Sequence, residues 1–149
     1  MGYDIHLYKD SPDAHIKKGA TVDDLPRGGQ YAVYSSEKKL DDDDLYLYIT
    51  FNYSWYYYQT LPEGLRGLSG KTTTEVLPLL LEARDKILKM VETERSTGYI
   101  LSETWGKGGV YNDADDNYWS VSAKNAVKAL DSLIQLCDLA PGYTIRIFA

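Results

Sequence analysis

Cysteine is almost missing from this chain. Of its 149 residues only Cys137 is one, which excludes an internal disulfide framework and a multi-cysteine zinc site. Histidine is nearly as scarce, and His6 and His15 have no metal-ligand spacing. No apolar run approaches the roughly 20 residues that span a bilayer. Met1-Gly2-Tyr3-Asp4-Ile5 has no basic segment leading into an apolar one, so the expectation is a cytoplasmic protein without membrane contact. Positive charge is short as well: 16 Lys and Arg stand against 22 Asp and Glu, a net charge of −6. That balance argues against direct nucleic-acid binding, which needs clustered cations on phosphates. Phe occurs only twice, whereas there are 14 Tyr and 3 Trp. Phe fills dry cores; Tyr and Trp suit positions where one end meets water or a polar partner. Two readings follow, an amphipathic sheet with Tyr on its wetter face, or a binding surface that uses rigid rings as anchors.

The hydrophobic pattern predicts one domain over residues 1–149. Tyr3, Ile5 and Leu7 alternate with Asp4, His6 and Tyr8, as in a strand with one buried face. Residues 9–29 read as a loop, and Gln30 to Ser35 as a second strand. Asp41 to Asp44 form a solvated turn, because four adjacent like charges repel. Leu45 to Phe51 is the strongest strand. From Thr74 to Val91 the spacing becomes helical, with Val76, Leu80, Ala83, Ile87 and Val91 on one stripe and Pro78 placed near the first turn. Residues 93–119 read as irregular, with one short hairpin. A second helix over Ala123 to Leu139 has Ser122 as N-cap and Val127, Leu130, Ile134 and Cys137 inside; Tyr143 to Phe148 closes the chain as a strand. The expected class is α+β, a mostly antiparallel sheet of about four strands with two helices packed on one face.

Motifs for chemistry are weak. Gly70-Lys71-Thr72 before a helix lacks the P-loop's first glycine, since position 65 is Leu, so no nucleotide hydrolase is indicated. Amides at that helix start, with Lys71 and Arg66 nearby, either hold an anion or simply make a turn and cap. Asn112-Asp113-Ala114-Asp115-Asp116-Asn117 begins like a calcium loop. Counted from Asp113, the required glycine is Tyr118 and the terminal Glu is Lys124, so the pattern fails. Cys137 on an apolar stripe is a core residue rather than a nucleophile. No catalytic residue, metal ligand or cofactor motif is assigned, and the sequence leans against an enzyme. The distinctive local feature is Tyr53-Ser54-Trp55-Tyr56-Tyr57-Tyr58, whose consecutive rings cannot all point inward. They form either a satellite core or, with Trp105 and Trp119, a cradle for a nucleotide-like ligand.

Taken in order, Gly2-Tyr3-Asp4-Ile5-His6-Leu7, Arg27-Gly28-Gly29-Gln30-Tyr31-Ala32-Val33, Tyr48-Ile49-Thr50-Phe51-Asn52-Tyr53-Ser54, Gly64-Leu65-Arg66, Gly70-Lys71-Thr72, Tyr118-Trp119 and Asn125-Ala126 carry a resemblance. The chain resembles a family of small bacteriophage accessory proteins of unassigned function. It departs from them at Ser122-Ala123-Lys124-Asn125, where they favour Thr-Glu-Gly-Asn, and in the Gly-rich stretch from Trp105 to Val110. The resemblance implies action in the infected bacterium and supplies no catalytic residues. The combined expectation is a counter-defence binding protein that sequesters a nucleotide-derived signal or blocks a host defence protein, and a homo-oligomer is compatible with it. Tyr53, Trp55 and Tyr57 would stack on a base, while Arg66, Gly70 and Lys71 would take phosphates. Alternatives are an acidic immunity-type or regulatory protein for a basic partner, and a small enzyme that degrades a nucleotide signal.

Overall fold

Alternation along the first strand places Tyr3, Ile5 and Leu7 in the interior and leaves Asp4, His6 and Tyr8 on a wetter face. The computed structural model describes residues 1–26, 29–31, 40, 44–103 and 109–149. Strand β1 (Gly2–Tyr8) is central and pairs antiparallel with β3 (Leu45–Thr50) and with β4 (Thr144–Phe148). A three-residue strand, β2 (Gly29–Tyr31), adds to the outer side of β3, giving the order β2-β3-β1-β4. The register sets Ile5 opposite both Leu47 and Ile147, and Leu7 opposite Leu45 and Ile145, so one face is apolar throughout. The rest of the predicted second strand, residues 32–35, and Asp41 to Asp43 lie outside the described residues.

The open edge of β4 is covered. Gly70 N–H donates to the Ile145 carbonyl at 2.7 Å, Ile145 N–H donates to the Lys71 carbonyl at 2.8 Å, and Thr72 bridges Thr144. Gly70 has φ +90°, a conformation that only glycine adopts without strain, and this bends the chain onto the strand.

Three helices, not two, accompany the sheet. A 3-10 turn (Phe51–Tyr53) runs into α1 (Ser54–Thr60), and Tyr53, Tyr56, Tyr57 and Thr60 face inward at helical spacing. Helix α2 (Thr73–Thr97) buries Val76, Leu80, Ala83, Ile87 and Val91, the predicted stripe, but extends six residues beyond the expected end at Val91. The helix starts one residue before the expected Thr74, and Pro78, its sixth residue, falls just beyond the first turn, near it as the sequence requires. The helix tolerates it because both Pro78 and Thr74, whose carbonyl loses its partner, face solvent. Gly98 at φ +81° ends the helix in the left-handed conformation. Helix α3 (Ala123–Leu139) begins after Ser122, as the sequence predicts, and packs along α2. Its buried face is wider than the predicted stripe and includes Ala126, Leu133 and Leu136, while Ile134 is only half-buried. Where the sequence suggests a short hairpin after α2, the described residues show an isolated antiparallel bridge between Tyr99 and Val110. Among the described residues no helix is long and apolar enough to cross a membrane.

The inner stripe of α2 ends on a charge. Glu94 is wholly buried, and its Oε2 accepts from the Tyr56 hydroxyl at 2.5 Å and the Leu101 N–H at 2.9 Å. Its Oε1 accepts from the Ala123 N–H at 2.9 Å, the first residue of α3. One carboxylate thus joins α1, α2, the following turn and the start of α3. Replacing Tyr56 with Phe removes a charge-assisted hydrogen bond, with an expected loss of about 2 kcal/mol. Glu94→Ala strands three donors, two of them fully buried, and is expected to cost on the order of 4 kcal/mol. Urea denaturation measures both, and a Glu94→Ala loss no larger than that of Tyr56→Phe would contradict this role.

Burial also raises the phenols of Tyr3, Tyr53, Tyr56 and Tyr57, in Tyr56 with help from the Glu94 carboxylate. A raised folded value means that the neutral phenol is favoured. The stability this contributes is complete below the ordinary tyrosine value of 10.0 and declines as pH rises through the folded values. In an alkaline titration followed by near-ultraviolet absorbance, these four should ionise only together with loss of the far-ultraviolet circular dichroism. Full phenol ionisation in a chain that is still folded would contradict the sealed placement.

Candidate functional site

Where the first half of α3 meets β3 and the loop ahead of α3, the surface opens into a cleft of about 600 Å³. Its aromatic wall is Tyr48, Tyr118 and Trp119, with Tyr53 behind them. Its polar lining comes from Asp116, Asn125, Lys128, Asp131 and Ser132. Tyr118 stands edge-on to Tyr53, with ring centroids 5.8 Å apart, and edge-on to Trp119 at 4.9 Å. The Tyr118 phenol is raised above its ordinary value, chiefly by burial.

The wall's backbone is held from three sides. The Tyr53 hydroxyl donates to the Tyr118 carbonyl, and Asn52 Nδ2 donates to the Trp119 carbonyl at 2.8 Å. The Trp119 N–H donates to Asn117 Oδ1 at 3.0 Å. Asn117 is anchored in turn, because Asn125 Nδ2 donates to its carbonyl at 2.8 Å and to that of Ser120 at 2.7 Å. With its main chain fixed, the Trp119 side chain is still 54% exposed. Charge inside the cleft nearly cancels. Asp131 accepts from Arg84 Nε at 2.6 Å, whereas neither Lys128 nor Asp116 has an ion-pair partner among the described residues.

The six residues expected to form the ligand site are not gathered into one. Tyr53 and Tyr57 have no exposed ring face and cannot stack on a base; the Tyr57 hydroxyl donates to the Ala126 carbonyl at 2.9 Å inside the core. Tyr53 reaches the cleft only as backing for its wall. Trp55 is half-buried and packs edge-on against Tyr56 at 5.1 Å. Arg66, Gly70 and Lys71 are exposed and line no part of the cleft.

The anion cradle expected at Gly70 to Thr72 is already filled. The amides of Gly70, Lys71 and Thr73 donate to the carbonyls of Ile145, Leu68 and Tyr143. The Thr72 amide faces the Glu75 carboxylate, and Thr72 and Glu75 form a reciprocal capping box. A side-chain carboxylate occupies the place a phosphate would take. The signal was in the sequence, since Thr72-x-x-Glu75 is a capping-box pattern. Trp119, expected at a pocket's border, is there; Trp105 lies outside the described residues. What sequence reasoning missed is Tyr48, Lys128 and Asp116 as lining, because nothing local links positions so far apart.

Burial pushes the Cys137 thiol up to about 12, which suits a core residue. Among the described residues no group of three His, Cys, Asp or Glu side chains is placed to hold a metal ion. Comparison with protein-family models, curated proteins and solved structures finds no match to this chain.

Two loop carboxylates titrate low. Asp113 is held below the ordinary carboxylate value of 3.8 first by the Tyr111 hydroxyl and then by Arg95, and Asp115 by the Ser120 hydroxyl and the Asn117 amide. A lowered folded value stabilises the loop above the ordinary value, and that contribution is lost as pH falls through the folded one. In a variant with Trp119 as its sole tryptophan, emission should therefore hold from neutral pH down to the ordinary carboxylate value and change below it. Tyr111→Phe should move the acid limb to higher pH, and an unmoved limb would contradict this coupling.

Proposed function

We propose that this chain is a binding protein whose cleft takes a nucleoside-type ligand carrying at most one phosphate. The observation that carries the reading is Trp119, an indole largely open to solvent on a backbone fixed by three hydrogen bonds. A ring held in place before binding loses little entropy when a planar partner stacks on it. Tyr118 and Tyr48 extend the aromatic surface, and Asp116 offers acceptors to a sugar diol. Lys128 supplies one ammonium. With Asp131 engaged by Arg84, a polyphosphate would meet one cation beside one carboxylate, which disfavours it. Combined with the resemblance to small bacteriophage accessory proteins, the reading is a phage-type counter-defence protein that sequesters a nucleotide-derived signal in the host cytoplasm. Among the described residues no catalytic group faces the cleft in a recognisable constellation, so binding is favoured over turnover.

Titration calorimetry against nucleosides, nucleoside monophosphates and cyclic mononucleotides tests this, with ADP-ribose, which carries two phosphates, expected to bind more weakly than any of them. Trp119→Ala should weaken binding by about tenfold or more, given the ~1–3 kcal/mol that a base stacked on an aromatic ring is worth. Trp55→Ala and Lys71→Ala should leave it unchanged. Absence of heat with every one of these compounds would remove the nucleoside reading.

A second reading, blockade of a host defence protein, has its own observation. On the sheet's outer face His6 is ringed by Tyr8, Tyr46 and Phe148 at 5.0–5.7 Å, and Phe148 is 55% exposed. Loss of a captured host protein on Phe148→Asp, with ligand binding intact, would favour it.

A further inference from the structure

The loop carrying Tyr118 and Trp119 puts Lys124 where a calcium loop has its last carboxylate. The structure shows what that lysine does. Its Nζ donates to the main-chain carbonyls of Asn112 at 3.3 Å, Asp113 at 3.0 Å and Asp115 at 2.8 Å. It also stands 5.7 Å from the centroid of the Tyr111 ring. An ammonium has three donors, and here all three are spent on backbone oxygens. Carbonyl oxygens converging on one point form the coordination set of a small cation; without positive charge at the centre, their dipoles repel.

The neighbouring residue completes the support. Asn125 binds the carbonyls of Asn117 and Ser120, so Lys124 and Asn125 hold five loop carbonyls from the first turn of α3. From the other side Arg95 and the Tyr111 hydroxyl engage Asp113. The loop continues directly into Asp116, Tyr118 and Trp119 of the cleft.

We infer that the Lys124 ammonium is the resident cation of the 112–117 loop and a positioning residue for the aromatic wall. The inference depends on the nucleoside reading only for its effect on ligand affinity; the position of the wall is a property of the free protein. Truncating the side chain leaves a carbonyl cage with room for a primary ammonium ion or a potassium ion. Tetramethylammonium, which has no N–H and is too wide, does not fit.

The test uses the full chain without ligand, with Trp55 and Trp105 replaced by Phe, and reads acrylamide quenching of Trp119. Lys124→Ala should raise quenching, by up to about twofold since the indole is already half exposed. Methylammonium or potassium should restore it, and tetramethylammonium at the same ionic strength should not. Quenching that is unchanged in Lys124→Ala, or raised but unaffected by methylammonium and potassium, would overturn the proposal. Should that variant fail to fold, the unmodified protein decides: reductive methylation should reach Lys124 well after the exposed Lys71 and Lys128, and equal rates would overturn it. Because neither readout involves a ligand, failure here leaves the nucleoside reading standing, and the converse holds.

Discussion

The buried carboxylate of Glu94 sets the geometry on which the rest of this structure depends. A carboxylate taken out of water is costly unless every lone pair that matters finds a donor. Here the donors are a phenol from α1, an amide from the turn after α2 and the first amide of α3. The last of these lies at the positive end of a 17-residue helix, where negative charge is favoured. Three convergent donors with a helix dipole make burial of the charge tolerable, and the convergence fixes where α3 begins. From its first turn α3 projects Lys124 and Asn125, and from its second Lys128. A shift in that start would carry both loop anchors and one side of the cleft with it, so the core and the candidate site share a single constraint.

Glu94 is one of several places where a charge or a cluster of dipoles finds its partner inside the chain. Glu75 sits at the N-terminus of α2, Lys124 fills the carbonyl cage of the 112–117 loop, and Arg84 neutralises Asp131 at the cleft. Each of these spots, stripped of its internal partner, would read as an ion-binding site. That explains why motif-level signals for phosphate and calcium arise in this sequence and then fail. The helix start at Gly70-Lys71-Thr72 has the shape of an anion cradle, and Glu75 occupies it. The acidic loop has the shape of a calcium site, and a lysine occupies it.

Much of the fold was legible before any coordinates. Period-two alternation located β1, β3 and β4 because each has one wet face. The spacing of Val76, Leu80, Ala83, Ile87 and Val91 gave α2 its inner stripe, and Ser122 marked the start of α3. Helix α1 was hidden because seven residues span barely two turns, and four adjacent rings mask the spacing of Tyr53, Tyr56 and Tyr57. Glu94 was hidden by its charge: it continues the α2 stripe in spacing, yet a carboxylate there reads as the end of the apolar pattern. The cleft was hardest to see. Its walls come from β3, a loop and α3, far apart in sequence, and of its lining only Tyr53 and Trp119 were placed near a pocket in advance.

If the protein binds a ligand as proposed, recognition by rings suits it better than recognition by charge. In a chain with a net charge of −6, one ammonium in a cleft gives little affinity for a polyanion. Stacking does not depend on net charge, and it rewards a surface already in position. The Tyr118–Trp119 wall meets that condition, since its carbonyls and the Trp119 amide are bonded while the indole is not covered. An indole that served only packing would gain more by burial, as Tyr53 and Tyr57 do a few ångströms deeper in the same fold. Leaving it outside, on a hydrogen-bonded stretch of main chain, keeps the ring available without leaving it loose. On the proposed binding function, the internal partners would hold the loop still so that the exposed ring could select a ligand by shape.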